Sequence, residues 1–204
     1  MARSMWNGSV GFGLVNVPVE LVTATRDLDY HFRELHGKDG APVRHQRFCA
    51  TEQAPVEWDE VGRGYELDDG SMLVLSDEDL RTVQPEKSRT IEIESFTPLD
   101  QIDPVRFDHG YFLVPRDQSK GTLRAYNLLV QAMADDQLAA LGRFVMRTRE
   151  YLAVIRERDG ALALSTMHFP DEIRPTDAIP RTEVTVDQSA VDDAIAVVED
   201  RKVE

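Results

Sequence analysis

Three glycines in one strand-like stretch constrain this chain more than any other feature. In the run Arg3 to Val22, Trp6 is followed by Gly8, Gly11 and Gly13, and Val10, Phe12 and Leu14 alternate with the small residues. That is the period-two pattern of a strand with one bulky face. Glycine inside a strand marks a bulge, a sharp bend or a close backbone approach. Asn16 and Pro18 are expected to close the strand, and Val19, Leu21 and Thr23 to begin another. A bent pair of this kind suits a tightly curved barrel.

The next segment looks different. In residues 42–49, PVRHQRFC, one strand face would show Val43, His45 and Arg47, and the other Arg44, Gln46 and Phe48. Neither face suits a core, because unpaired buried arginines are very costly. The run from Val56 to Leu67 is similarly mixed, with Trp58, Val61 and Tyr65 among Glu57, Asp59, Glu60 and Arg63. Residues 41–67 therefore read as a protruding β-arm with its loop at 51–55; the alternative is an edge hairpin packed loosely on the domain. Met72 to Leu75 follows the Asp69-Gly70 turn and reads as a short buried strand. Ser76 and Asp79 resemble a helix N-cap and its third residue, although a capping box normally uses Glu or Gln there. The helix should run to about Val83, before Pro85.

The second half is more regular. Thr90 to Phe96 alternates, and Tyr111 to Val114 is a short apolar strand. Thr122 to about Ala134 is the clearest helix, with Leu123, Tyr126, Leu129, Val130 and Met133 on one face. Residues 143–149, RFVMRTR, put Arg143, Val145, Arg147 and Arg149 on one strand face. Arginines aligned this way repel one another unless anions or carboxylates face them. Tyr151 to Arg158 and Ala161 to Met167 then flank Asp159-Gly160, a strong hairpin-turn pair. After Pro170 the periodicity fades, so residues 171–187 read as an extended linker. Gln188 to Glu199 reads as a helix with Val191, Ile195 and Val198 on one stripe, which must dock on the domain or on a partner chain.

Charge sharpens the picture. The 204 residues carry a net −14, which as an average argues against nucleic acid. The charge is segregated, however: +1 over residues 1–50, −11 over 51–112, +2 over 113–170 and −6 over 171–204. Near-neutral or basic blocks thus alternate with acidic ones. One free cysteine, Cys49, excludes an internal disulfide and makes the cytoplasm the default compartment. No apolar run reaches the roughly 18 residues of a membrane span, and the N-terminus lacks a signal-peptide layout.

Enzyme chemistry has little to stand on. There is no phosphate-binding Walker loop, no nucleophile elbow and no zinc-protease helix motif, and the glycines near Phe12 lack the rest of a dinucleotide fingerprint. The aspartates of residues 66–79 have no calcium-loop spacing and read as a solvated face. Cys49 near Arg44 and Arg47 reads as a structural or idle thiol rather than a reactive one. No catalytic residue, metal or cofactor is expected.

The ordered motifs resemble the bacterial Ku family of DNA-end-binding proteins. The carriers are Trp6-x-Gly8-Ser9-Val10-x-Phe12-Gly13-Leu14-Val15-Asn16-Val17-Pro18-Val19, then His31-Phe32 with His36, Arg44 and Arg47 before Cys49, and Gly64-Tyr65-Glu66. They continue with Leu75 to Leu80, Phe144 to Arg147, Leu152-Ala153 with Ile155-Arg156, and Pro170 to Arg174. The resemblance implies a mainly β, α+β fold: a Ku-type β-barrel core over residues 1–187 with a protruding β-arm bridge and short flanking helices. Residues 188–204 would be the start of a C-terminal helical arm that is cut short. It further implies a ring-shaped homodimer that threads double-stranded DNA ends in non-homologous end joining and recruits an ATP-dependent DNA ligase. Such a protein is not an enzyme, has no membrane partner, and works in the bacterial cytoplasm at the nucleoid.

By the same resemblance, Arg33, Lys38, Arg44, His45 and Arg47 would lie on or near the bridge. Arg143, Arg147 and Arg149 would line the channel or pair with acidic neighbours. Family members often carry C-x-x-C on the arm; here Cys49 is followed at the second position by Glu52, so a zinc or disulfide role for the arm has no support. The alternative function is an acidic Ku-like interaction subunit that binds DNA weakly alone and acts with a paralogous partner.

Overall fold

A computed structural model describes residues 4–86, 88–136, 138–180 and 184–202. The chain divides into two units, residues 1–170 and 171–204. The first is built on a closed seven-stranded barrel, so the expected α+β barrel fold is present. Strands β1 (Ser4–Phe12), β2 (Val15–Thr23), β7 (Thr90–Pro98), β8 (Phe107–Pro115), β9 (Leu138–Met146), β10 (Arg149–Arg158) and β11 (Ala161–Met167) form its wall. Their order is β1-β2-β8-β11-β10-β9-β7. The parallel pairing of Ser9–Gly11 with Thr90–Glu92 closes the circle; every other pair is antiparallel. Closure removes the sheet edges on which stray strands could pair.

Glycine makes the closure possible. A side chain at Gly8 would meet the Arg89 carbonyl at 2.2 Å and the Trp6 ring at 2.2 Å; one at Gly142 would meet the Glu92 carbonyl at 2.3 Å. The indole of Trp6 therefore lies over Gly8, donates from Nε1 to the Val145 carbonyl at 2.9 Å, and meets Phe144 edge-on at 5.5 Å. Val10, Val17, Val19, Leu21, Ile91, Leu113, Phe144, Ile155, Leu162 and Leu164 fill the core with it.

Helix α2 (Lys120–Asp136) packs against β2, β8, β9 and β10. The expected stripe of Tyr126, Leu129, Val130 and Met133 joins the barrel cluster. The Tyr126 hydroxyl donates to the Leu113 carbonyl and accepts from the Leu162 N–H, each at 2.8 Å, tying the helix to β8 and β11. Burial pushes its phenol above the ordinary value. At the other end of that strand pair the register shifts between Ser165 and Met167. Buried Thr166 fills the gap, its hydroxyl accepting from the His109 N–H at 3.1 Å.

Three expectations are corrected. Asn16 and Pro18 do not end a strand: they lie inside β2, opposite Gly11 and Ser9. The turn is Gly13-Leu14, where Gly13 takes φ 56°. Pro18 is tolerated because pairing of β2 with β8 starts only at Val19, and the Pro18 carbonyl still accepts from Arg116 N–H at 3.1 Å. Second, residues 143–149 are not one strand, because β9 ends at Met146 and β10 begins at Arg149. Third, β6 (Met72–Leu75) is a strand but not a buried one; Val74 is 76% exposed.

Between β2 and β7 the chain leaves the barrel for residues 24–89. No described residue of this excursion is buried. The single hairpin expected over residues 41–67 is not formed: β3 (Phe48–Cys49) pairs only with β4 (Ala54–Pro55), and β5 (Arg63–Glu66) pairs forward with β6 instead of back with residues 42–49. A short helix, α1 (Asp77–Thr82), ends the excursion. Asp79 completes the capping box that usually calls for a longer acid: its carboxylate accepts from the Ser76 N–H at 2.9 Å, and Ser76 Oγ accepts from the Asp79 N–H at 3.1 Å. In the second unit, α3 (Gln188–Asp200) starts at Asp187, whose carboxylate accepts from the Ser189 N–H. No residue of α3 is buried, and Ile195 and Val198 on its stripe are exposed.

Candidate nucleic-acid interface

The excursion holds the first group of candidate residues. Arg33, Lys38, Arg44, His45 and Arg47 all fall within residues 33–47, between the end of β2 and β3, and all are exposed. None sits on a regular strand; one isolated bridge, Leu35 to Pro42, draws the segment into a loop. Gly40 turns it at φ 70°, and the Asp39 carboxylate accepts from Ala41 N–H at 3.0 Å and pairs with His36 at 2.9 Å. Those two bonds, the backbone one first, hold the Asp39 carboxyl below its ordinary value.

The two ends of this loop are fixed by partners that the residue pattern alone did not reveal. Arg47 lays its guanidinium 3.9 Å from the centroid of the Trp58 ring. Trp58 is 71% exposed on its own turn, so the pair presents a flat cationic face to solvent. His45 pairs with Glu34 at 2.6 Å. The only sequence signal for the stack was an aromatic amid acidic residues. Charge divides along the arm: residues 24–50 carry +1 and residues 51–86 carry −9.

The second group lies on the barrel, and its members have three different environments. Arg143 points at carboxylates, with Glu94 at 3.2 Å and Glu150 at 3.8 Å, so its charge is met within the wall. Arg149 opens β10 with its guanidinium 5.5 Å over the Tyr151 ring. Arg147 lies in the β9–β10 loop with φ 62° and shares a cavity with Arg89. The structure therefore does not align the three arginines on one face. The arm group and the barrel group both belong to the first unit.

Together these features define a class of protein: a closed β-barrel carrying an exposed, charge-divided arm. The comparisons agree with that class. The family model for the Ku70/Ku80 beta-barrel domain matches residues 11–193. A non-homologous end joining protein Ku 1 from Geotalea uraniireducens is 42% identical over 171 residues, covering 84% of this chain and 64% of the relative. The Ku protein of Symbiobacterium thermophilum is 43% identical over 178 residues, 87% of this chain and 44% of the relative. That of Bacillus subtilis is 36% identical over 192 residues, 94% and 60% respectively. The chain belongs to the Ku family. It spans roughly half to two thirds of the length of these curated relatives, all named for non-homologous end joining. Among the described residues, no helix is long and apolar enough to cross a membrane.

Proposed function

We propose that this protein binds double-stranded DNA ends as a ring-shaped homodimer in non-homologous end joining, and recruits an ATP-dependent DNA ligase. The observation that carries the reading is the arm. An excursion of residues 24–89 with no buried side chain among its described residues has no core of its own to justify it, and it bears the candidate cations Arg33, Lys38, Arg44, His45 and Arg47. Its aromatic residues are open as well: Tyr30, Phe32, Phe48, Trp58 and Tyr65 are all exposed. So many exposed large apolar groups on one appendage call for a covering surface. A second copy of the chain supplies one, and two arms then close over a duplex.

Such a ring holds DNA through its phosphates and by topology, so it needs no base-reading helix. A net −14 does not oppose this if the channel is locally positive, since field follows geometry as well as total charge. On this reading Arg147 and Arg149 face the duplex, and Arg143 serves more through its carboxylate pairs. The protein acts as a scaffold rather than an enzyme, in the bacterial cytoplasm at the nucleoid. A second reading is favoured by the −9 carried by residues 51–86: an acidic subunit that pairs with a basic paralogue and binds DNA weakly alone.

Reversing Arg44 and Arg47 to Glu tests the reading. Anisotropy on a linear duplex should show lost binding at ordinary salt while the circular dichroism spectrum is unchanged. At low salt, where residual binding is measurable, the dependence of log K on log salt should flatten by about 1.8, from ~0.9 for each of two lost phosphate contacts. Wild-type affinity in the folded variant removes the arm from the interface. Weak binding by the wild-type protein, restored by a basic paralogue, favours the second reading.

A further inference from the structure

The barrel has three tight hairpin loops of two residues, and they do not obey the same rule. Gly13-Leu14 joins β1 and β2 with a positive φ at its first residue, 56°, filled by glycine. Asp159-Gly160 joins β10 and β11 with positive φ at both, 53° and 80°, filled by the residue types that tolerate it. Arg147-Thr148 joins β9 and β10 with the same one-residue pattern as the first loop, yet the residue at φ 62° is an arginine. A bulky side chain held in the left-handed region is disfavoured, and such outliers concentrate at functional positions.

The surroundings of Arg147 say what that side chain is for. It lines a cavity of about 370 Å³ together with Trp6, Asn7, Ser88, Arg89 and Val145. Two arginines thus share one cavity, and among the described residues no acidic one lines it. Among the described residues, neither Arg89 nor Arg147 forms an ion pair, in contrast to Arg143 a few residues away. The frame is firmly tied. Trp6 Nε1 donates to the Val145 carbonyl, Ser9 N–H donates to the Arg89 carbonyl at 2.9 Å, and Ser88 Oγ accepts from Thr90 N–H at 3.1 Å. Asn7 Oδ1 accepts from Ser4 Oγ at 3.2 Å, leaving its amide N–H groups to donate.

We propose that Arg89 and Arg147, with Asn7, form an oxyanion subsite on the barrel that takes a phosphate group. Guanidinium forks match phosphate oxygens two at a time, and an amide donor beside them completes a polar cradle. The β9–β10 loop brings Arg147 to this cavity, and the pairing of β7 with β9 and β1 brings Arg89. The source of the phosphate rests on the DNA-end reading, where it is either the terminal phosphate of a broken end or a backbone phosphodiester. The anion chemistry itself does not depend on that reading.

Calorimetry of the full chain with inorganic pyrophosphate tests the subsite directly. Saturable binding should weaken at least tenfold in Arg147→Gly and in Arg89→Gln. Arg147→Gly should melt at the same or a higher temperature, because glycine accepts the loop conformation. No saturable binding, or equal binding by both variants, overturns the subsite. Duplexes with 5′-phosphate and 5′-hydroxyl ends then separate the sources. A preference for the phosphorylated end that vanishes in Arg147→Gly assigns the terminal phosphate. Equal binding of both ends, with a salt slope smaller by about 0.9 in the variant, assigns the backbone. Pyrophosphate binding without any duplex binding leaves the subsite standing and sinks the DNA-end reading. Duplex binding lost in the Arg44/Arg47 variant, with pyrophosphate inert, does the reverse.

Discussion

Phe144 in the barrel wall is 1% exposed, stacked on Tyr151 at 5.6 Å and met edge-on by Trp6; Phe32 in the arm is 92% exposed. The two regions use the same side chains under opposite conditions. The barrel is held by burial, which is non-directional and grows with the apolar area removed from water. The arm is held by directional local bonds: the Asp39 turn, the Asp69 turn in which Ser71 donates both N–H and Oγ, and the Ser76–Asp79 capping box. A region held this way, with few buried apolar contacts, opens more easily than the barrel. The difference teaches that the same apolar side chains stabilise the barrel by burial and leave the arm to its local hydrogen bonds.

The widest separation between the regions should come from matched truncations. Phe144→Ala should lower global stability by about 3–5 kcal/mol, the usual range for a buried aromatic. Phe32→Ala should leave the isolated chain within ~0.5 kcal/mol of wild type, as expected at an exposed position. Denaturant melts of the two variants check this, and equal losses would erase the contrast.

A smaller effect tests the helix–barrel tie. Tyr126→Phe leaves the Leu113 carbonyl and the Leu162 N–H without their shared hydroxyl, and should cost about 1–3 kcal/mol with no change in the arm. Hydrogen exchange should show the loss at β8 and β11, not at residues 24–86.

The smallest effect is acid sensitivity of the arm. Hydrogen bonds hold the carboxyls of Asp39, Asp69 and Asp79 below their ordinary value of 3.8, through Ala41, Ser71 and Ser76 respectively as the leading donors. A depressed carboxyl contributes order that is present above the ordinary value and is lost as pH falls below it. Limited proteolysis with an acid-active protease should therefore open residues 36–41 and 69–79 below pH 3.8 before the barrel yields. Barrel cleavage at the same pH would contradict the ordering.

Much of the barrel was legible in the residues. The glycine-spaced opening strand, the Asp159-Gly160 hairpin and the one-sided helix around Tyr126 each follow from local rules. So did the exposure of Arg44, His45 and Arg47, since no core tolerates that mixture. Pro18 misled because its missing N–H is harmless in the first part of β2, which pairs with β1 and has no register partner on β8. Met72 to Leu75 misled because an apolar run looks the same whether it enters a core or stays exposed. Arg147 carried no turn signal, and its nearness to Arg89 arises from the antiparallel pairing of β7 with β9, which no local pattern encodes.

The central claim is that the arm encloses a DNA end. A gel-shift comparison of linear duplex with closed circular plasmid of the same sequence, at two salt concentrations, tests it most directly. Retardation of linear DNA alone, competed by other linear DNA and not by circles, is the predicted result. Equal retardation of both forms would contradict enclosure and leave a protein that only touches the duplex surface.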